Sequence, residues 1–322
     1  MNNRDNSSYI ISHRTFSQPL DHNQPSEETL HQRVSILRPK NSKKTSPVFF
    51  HLGEDQALED ENLILLYDSY GKRDDNIYIH AEHRGYGTSI SKTKDQTKPD
   101  YVKIEQALSD YHTIIKELKK EFIGPWMGVG YSYGGGLVIN YAAEYPSDFD
   151  LILSSSGVID WPFMMDDYDK QMRINFGIEL YNSLTNMMEE LEPKELFDNN
   201  WYEREFLIAC IHGIAQKEEF KRFQKTLLKL TKKSTKTLLE QLHKIDDNFA
   251  ERQAHYYSTS NSKKKLNREE ALTKNYSWRV WRYQQCYETG VFEVSEKDNG
   301  IFKRTYDDFI KEGTKLFGEE PP

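Results

Sequence analysis

Between Gln32 and Asp160, short apolar runs alternate with stretches whose apolar residues recur at every third or fourth position. Runs of the first kind suit strands covered on both faces, and the second spacing suits one face of a helix. Residues 34–37 open the series, and residues 47–52 and 76–81 continue it, both closing in polar loops that contain glycine. Ile104, Leu108, Tyr111, Ile115 and Leu118 then predict a helix, which hands over at Gly124-Pro125 to a strand over 126–129. A tight glycine-rich turn over 130–136, a helix over 137–145 and a buried strand over 150–154 follow. This alternation predicts an α/β layer structure with a largely parallel sheet.

After Trp161 the strand-like runs stop. Phe220, Phe223, Leu227 and Leu230, and then Leu238, Leu242, Ile245 and Phe249, repeat at helical spacing among many charges. Residues 161–290 therefore read as a helical insertion between an N-terminal part, 1–160, and a return segment or tail, 291–322. The basic run of Lys217, Lys221, Arg222, Lys225, Lys229, Lys232, Lys233 and Lys236 is interleaved with those apolar positions, as on a solvated helix face.

The 322 residues suffice for about two domains with a sizeable core. Aromatic residues make up 13%, too many for a disordered chain. Forty-three basic against 51 acidic residues give a net charge of -8, which argues against a nucleic-acid partner. No window approaches the roughly 20 apolar residues of a membrane span, so no membrane partner is expected either. Cys210 and Cys286 provide neither a disulfide framework nor a two-pair zinc spacing, although one bridge or two free thiols both fit. The first 14 residues lack the apolar stretch of a signal peptide. The expected location is cytoplasmic for the chain as given, and secreted or lysosomal if its N-terminus has been trimmed.

The sharpest chemical signal is Gly130-Tyr131-Ser132-Tyr133-Gly134, a G-x-S-x-G between a predicted strand and a predicted helix. A serine hydroxyl becomes a nucleophile only when exposed on a rigid support beside a base. A strained strand-to-helix turn supplies the exposure, and glycines two before and two after the serine let strand and helix approach closely. The amide of Tyr133, next to the helix N-terminus, is placed to stabilise an oxyanion. The competing reading is an ordinary glycine-rich turn.

Four stretches in order carry a wider resemblance. They are Phe16-Ser17-Gln18-Pro19-Leu20-Asp21-His22 with Gln32-Arg33-Val34, Glu82-His83-Arg84-Gly85-Tyr86-Gly87-Thr88-Ser89, the elbow with Tyr145-Pro146, and Trp281-Arg282-Tyr283-Gln284-Gln285-Cys286-Tyr287-Glu288-Thr289-Gly290. In these the chain resembles the serine exopeptidases of the Pro-Xaa carboxypeptidase and dipeptidyl peptidase II family, and bacterial prolyl tripeptidyl aminopeptidases. The resemblance implies an α/β-hydrolase fold with an inserted helical cap, cleavage next to proline near a peptide end, and Ser132 as nucleophile. It implies no metal and no cofactor, and a peptide substrate as the partner.

The departures from the family pattern are also specific. The family has glycine before the serine, where this chain has Tyr131; its glycine-rich oxyanion loop reads His51-Leu52-Gly53-Glu54-Asp55 here, leaving Gly53 as the candidate second donor. The family's triad Asp and His follow the cap in a final block of strands. The 32 residues after Gly290 contain no histidine, so that block is expected to be missing. Downstream of Ser132 stand only His212, His243 and His255, all in the predicted insertion, with His51 and His83 as upstream alternatives for the base. Either a fragment of an exopeptidase or a serine that has lost its relay fits this order. Arg282 suits a substrate carboxylate and Glu288 an amine. Trp161, Trp278 and Trp281 could wall a proline pocket. A non-catalytic peptide-binding protein is the alternative function, and an esterase or lipase a more distant one.

Overall fold

The computed structural model describes residues 4–5, 8–24, 28–53, 55–70, 72–73, 75–159, 163–164, 166–194, 196, 198–215, 220–245, 276–290, 292–295, 301 and 304–322. The chain divides into two compact units, Met1–Asp160 with Lys264–Gln284, and Trp161–Lys263 with Gln285–Pro322.

The first unit is built on a seven-stranded sheet. In chain order its strands are β1 (Arg4–Asp5), β2 (Tyr9–Pro19), β3 (Thr29–Pro39), β4 (Val48–Leu52), β5 (Ile77–Ala81), β6 (Trp126–Tyr131) and β7 (Leu151–Ser155). Their spatial order is β1-β2-β3-β5-β4-β6-β7. The expectation of a largely parallel sheet is corrected here: β5, β4, β6 and β7 are parallel neighbours, whereas β1, β2, β3 and β5 pair antiparallel. The long β2–β3 ribbon is the reason, with every residue of Tyr9–Pro19 facing one of Thr29–Pro39. A ribbon joined by a local connection needs no crossover helix, so it escapes the βαβ logic that orders the rest.

Helices α1 (Asp60–Ser69), α2 (Ile104–Leu118) and α3 (Tyr133–Glu144) cover the sheet, and α9 (Tyr276–Gln284) belongs to the same unit. Successive strand residues point to opposite faces. Val48, Phe50, Ile77 and Ile79 therefore pack with Leu108, Tyr111, Ile115 and Leu118 of α2 and Leu137, Val138 and Tyr141 of α3. Tyr78 and Val129 face the other way and pack with Leu63, Leu66 and Tyr67 of α1. The apolar stripe of α2 is the one its spacing predicts. Residues 150–154 were expected to be buried, but Leu151, Ile152 and Leu153 are 57%, 36% and 37% exposed. The reason is position: β7 is the last strand of the sheet among the described residues.

In the second unit, helices α4 (Asp166–Phe176), α5 (Ile178–Glu190), α6 (Asn199–Ala215), α7 (Phe220–Thr231) and α8 (Thr235–Ile245) enclose a separate core that includes Met172, Leu180, Leu184, Met188, Leu207 and Leu238. A π-helical turn, Gln285–Thr289, and α10 (Tyr306–Phe317) complete it. Strand character does not vanish after Trp161: β8 (Phe163–Met164) pairs in parallel with β9 (Glu293–Val294). Two residues are too few to register as a run. Cys210 and Cys286 are not joined in a disulfide. Among the described residues no helix is long and apolar enough to cross a membrane, and no group of three or more His, Cys, Asp or Glu side chains could hold a metal.

Candidate active site

Ser132 stands between β6 and α3, exposed to solvent, with φ 50° and ψ -121°. A non-glycine residue at positive φ costs of order 1–3 kcal/mol and persists only where the surroundings enforce it. They do so here: the Ser132 amide donates to Ser155 O at 3.0 Å, and its carbonyl accepts from Gly135 N at 3.0 Å and Gly136 N at 3.3 Å. Glycine at 130 is obligatory, because a Cβ there would lie 1.9 Å from the carbonyl oxygen of Gly134. Gly135 likewise passes Gly157, whose Cα would be 2.6 Å from an added Cβ. α3 begins at Tyr133, four residues before the predicted start, so Gly134, Gly135 and Gly136 lie inside the helix. Helix-weakening glycines read as a turn in the sequence, yet tertiary crowding requires them.

Tyr133 is the first residue of α3, at the end of a helix where amides point outward toward negative charge. Its side chain is buried and fixed by a directional chain of hydrogen bonds. Tyr86 Oη donates to Gln284 Oε1 at 2.5 Å, and Gln284 Nε2 donates to Tyr133 Oη at 2.8 Å. Tyr133 Oη lies 3.2 Å from His83 Nε2, and His83 Nδ1 lies 2.7 Å from the Arg84 carbonyl. A carbonyl only accepts, so Nδ1 carries the proton and Nε2 accepts from Tyr133. Burial holds the His83 pKa down at about 4, and the neutral ring has both nitrogens occupied. His83 thus buttresses the residue after the serine.

The two residues flanking His83 brace neighbouring loops. The Glu82 carboxylate accepts from Leu58 N, Thr88 N and Oγ1, and Ser89 N and Oγ, at 2.6–3.2 Å. Burial pushes its pKa up, against the pull of these donors. Arg84 is fully buried, bound by Nε and Nη2 to both oxygens of Asp110 at 2.7 and 2.6 Å and also to the carbonyls of Pro19, Leu20 and Tyr101.

Tyr131 finds its room on the α1 side of the sheet. Its hydroxyl is 3.0 Å from that of Tyr70, and its ring meets His51 edge-on at 5.3 Å. His51 in turn lies 4.3 Å from His80, ring to ring. Gly53 is buried, its carbonyl accepts from Tyr111 Oη at 3.2 Å, and an added Cβ would lie 2.3 Å from Ala81 O. Trp281 packs against the Tyr133 ring at 5.1 Å and, with Trp278, Asp55, Glu59 and Asn62, lines a cavity of about 350 Å³. Arg282 lies half-buried on α9 and is not among the described lining residues of that cavity; Glu288 belongs to the π-helical turn of the second unit. His212 and His243 fall on α6 and α8 with side chains outside the described residues, and His255 and Trp161 lie outside them altogether.

The sequence pattern of the serine carboxypeptidase S28 family matches residues 18–191, more than half of the 322-residue chain. The chain belongs to this family. Over 136 residues the S28 chain is 28% identical to a prolyl tri/tetrapeptidyl aminopeptidase of Streptomyces mobaraensis, covering 42% of this chain and 26% of that protein. Over 159 residues it is 28% identical to the human lysosomal Pro-X carboxypeptidase, covering 46% and 32%. The matched stretch thus spans a third or less of these relatives. Among solved structures, a post-proline cleaving enzyme from Rickettsia typhi aligns at 14% identity and a TM-score of 0.35, over 52% of this chain and 22% of that one. Family membership and the strand order make the first unit an α/β-hydrolase fold, with Ser132 at the strand-to-helix turn where that fold presents its nucleophile.

The sequence reading names Tyr86 and Gln284 only within its wider stretches and gives them no part in the site, and it has His83 as an alternative base and not as a buttress. Both motifs that contain them are visible in the sequence, but nothing along the chain shows that they meet at Tyr133, 151 positions before Gln284.

Proposed function

We propose that Ser132 is the nucleophile of a serine exopeptidase that cleaves next to proline near a peptide terminus through an acyl-enzyme. The observation that carries this reading is the exposed serine at φ 50° on a strand-to-helix turn, with the first amides of α3 behind it. Its oxygen attacks the scissile carbonyl while a general base removes the proton, and water later releases the acyl group. The Tyr133 amide, held by the Tyr86–Gln284–Tyr133–His83 chain, stabilises the oxyanion, and Gly53 at the end of β4 supplies the second donor. Trp278 and Trp281 offer an apolar wall for a proline ring. The carboxylates of Asp55 and Glu59 on the same cavity suit a substrate presented by its ammonium end, whereas Arg282 would take a carboxylate. Membership of the S28 family and the proline-directed names of both relatives support the reading.

One observation favours a second reading, peptide binding without turnover. Among the described residues no histidine nitrogen is hydrogen-bonded to Ser132 Oγ, and His83 has both nitrogens occupied. Fluorophosphonate labelling of the purified chain, with Ser132→Ala as control, separates the two. Labelling of the parent that is lost in the variant establishes an activated serine. A folded parent that does not label refutes the peptidase reading for this chain and leaves peptide binding.

A further inference from the structure

On the face of the sheet that α1 covers, the register lines up His13 of β2, Ser35 of β3, His80 of β5 and His51 of β4 in one row. Arg33, two residues before Ser35, points to the same face. Asp60, the first residue of α1, meets this row with its carboxylate already shared: Arg33 Nη2 approaches it at 3.3 Å, His13 Nε2 at 3.4 Å and Ser35 Oγ at 3.5 Å. Glu82, two residues past His80, is filled by the donors of Leu58, Thr88 and Ser89, and Glu59 and Glu61 beside Asp60 are exposed. The remaining ionisable groups of the layer are phenols, Tyr67 and Tyr70 on the α1 side and Tyr78 and Tyr131 on the sheet, which carry no charge at or below neutral pH. Within this row His80 is 4% exposed, its ring centre lies 4.3 Å from that of His51, and its Nδ1 has no hydrogen-bond partner among the described residues. A proton on His80 would therefore face Arg33 and His51 with every nearby carboxylate engaged elsewhere.

The helix above this row is lightly fastened. It has ten residues, its N-cap Glu59 makes no side-chain cap bond, and Leu65 is 62% exposed. A helix so short is marginal without its packing, here Leu63, Leu66 and Tyr67 against Ile11, Leu37, Tyr78 and Val129. Elements of this kind open locally before a domain unfolds, and lifting α1 gives His80 access to water. Burial, with His51 and Arg33 adding to it, holds the His80 pKa well below its ordinary 6.5, so the closed state excludes a proton that the open state accepts. The preference for the closed state is fully present above pH 6.5 and is lost as pH falls. Glu59 and Asn62 line the cavity that also holds Trp278 and Trp281, so a lifted α1 takes one wall of that cavity with it.

We propose that α1 is an acid-released flap: a proton on His80 frees the helix from the sheet, and with it the cavity wall that Glu59 and Asn62 form. The opening does not involve Ser132, and only its consequence for peptide binding rests on the peptidase reading. The test is hydrogen–deuterium exchange of the full chain at about pH 7.5 and about pH 5, read by mass spectrometry on peptides covering residues 60–69 and 104–118 and corrected for intrinsic rates. Between these values protection over 60–69 should fall about thirtyfold more in the parent than in His80→Phe, whose ring occupies the same place and cannot titrate. The other histidines, His83 included, are common to both proteins and cancel. At the lower pH residues 60–69 should also exchange faster than 104–118 of α2, which covers the opposite face. Should the Phe variant fail to fold, His80→Asn, smaller and also uncharged, takes its place. An equal pH response in parent and folded variant, or residues 60–69 exchanging no faster than 104–118, overturns the proposal. A chain that opens in this way but does not label with fluorophosphonate keeps the flap and loses the peptidase reading.

Discussion

His83 makes the elbow's support sensitive to acid, by an amount that can be worked out from its surroundings. Its buried ring titrates at about 4 in the folded protein, against 6.5 for the ordinary side chain. Between those values the unfolded chain holds a proton that the folded chain excludes, so stability falls as pH falls. The contribution is fully present above pH 6.5 and lost progressively toward pH 4. At about 1.4 kcal/mol per unit, moving from about pH 7.5 to about pH 5 removes about 2 kcal/mol through this one group. Urea unfolding followed by far-UV circular dichroism at both pH values gives the loss directly. His83→Gln supplies the reference, since its amide oxygen can accept from Tyr133 Oη but cannot titrate. The parent should lose about 2 kcal/mol more than the variant over the interval. His80, whose pKa is also lowered by burial, titrates in both proteins and cancels. Equal losses would show that His83 is not a buried neutral ring and would remove the assigned tautomer and the buttress built on it.

Three further perturbations probe the same framework. Gly130→Ala places a methyl 1.9 Å from the Gly134 carbonyl oxygen and should destabilise the first unit by about 3 kcal/mol in urea, because backbone on both sides must move. A midpoint like the parent's would contradict the close strand–helix approach. Ser132→Gly should do the reverse, raising stability by about 1–2 kcal/mol by relieving the positive φ; no gain in urea midpoint would show that the serine is unstrained. Asp110→Asn leaves the wholly buried Arg84 without its countercharge and should cost about 3–5 kcal/mol, read from the same unfolding curves, while a loss under 1 kcal/mol would rule out a dry ion pair at that position.

The elements legible in the sequence are those whose signal is local. The apolar stripe of α2 and the buried runs of β4, β5 and β6 each announce themselves within a few residues, since burial on one face or on both fixes the period of the pattern. The G-x-S-x-G elbow is equally local: its two glycines and serine are set by a single turn of backbone, and the structure places Ser132 there, exposed and at positive φ. Strand β2 escaped notice because Tyr9–Pro19 is polar and only partly buried, so its pairing with β3 is a decision of the partner strand. The short α1 carries too weak a stripe to separate from its loops until the far face of the sheet presents Tyr78 and Val129 to Leu63 and Leu66.

The sequence by itself determined that this chain carries an α/β layer, a helical region after Trp161 and a serine on a glycine-flanked turn, because each follows from spacing along the backbone. The tertiary structure alone decided what supports that serine. Hydrogen bonds among Tyr86, His83, Tyr133 and Gln284 join residues as far as 198 positions apart, and the neutral state of His83 follows from the low polarity of the place where they meet. The same holds for Arg84 and Arg204: identical side chains, one with every donor matched and one with two unmet, distinguished only by which groups the fold brings within reach. Charge and hydrogen-bond demand are properties of the residue, whereas their satisfaction depends on neighbours that no periodicity encodes.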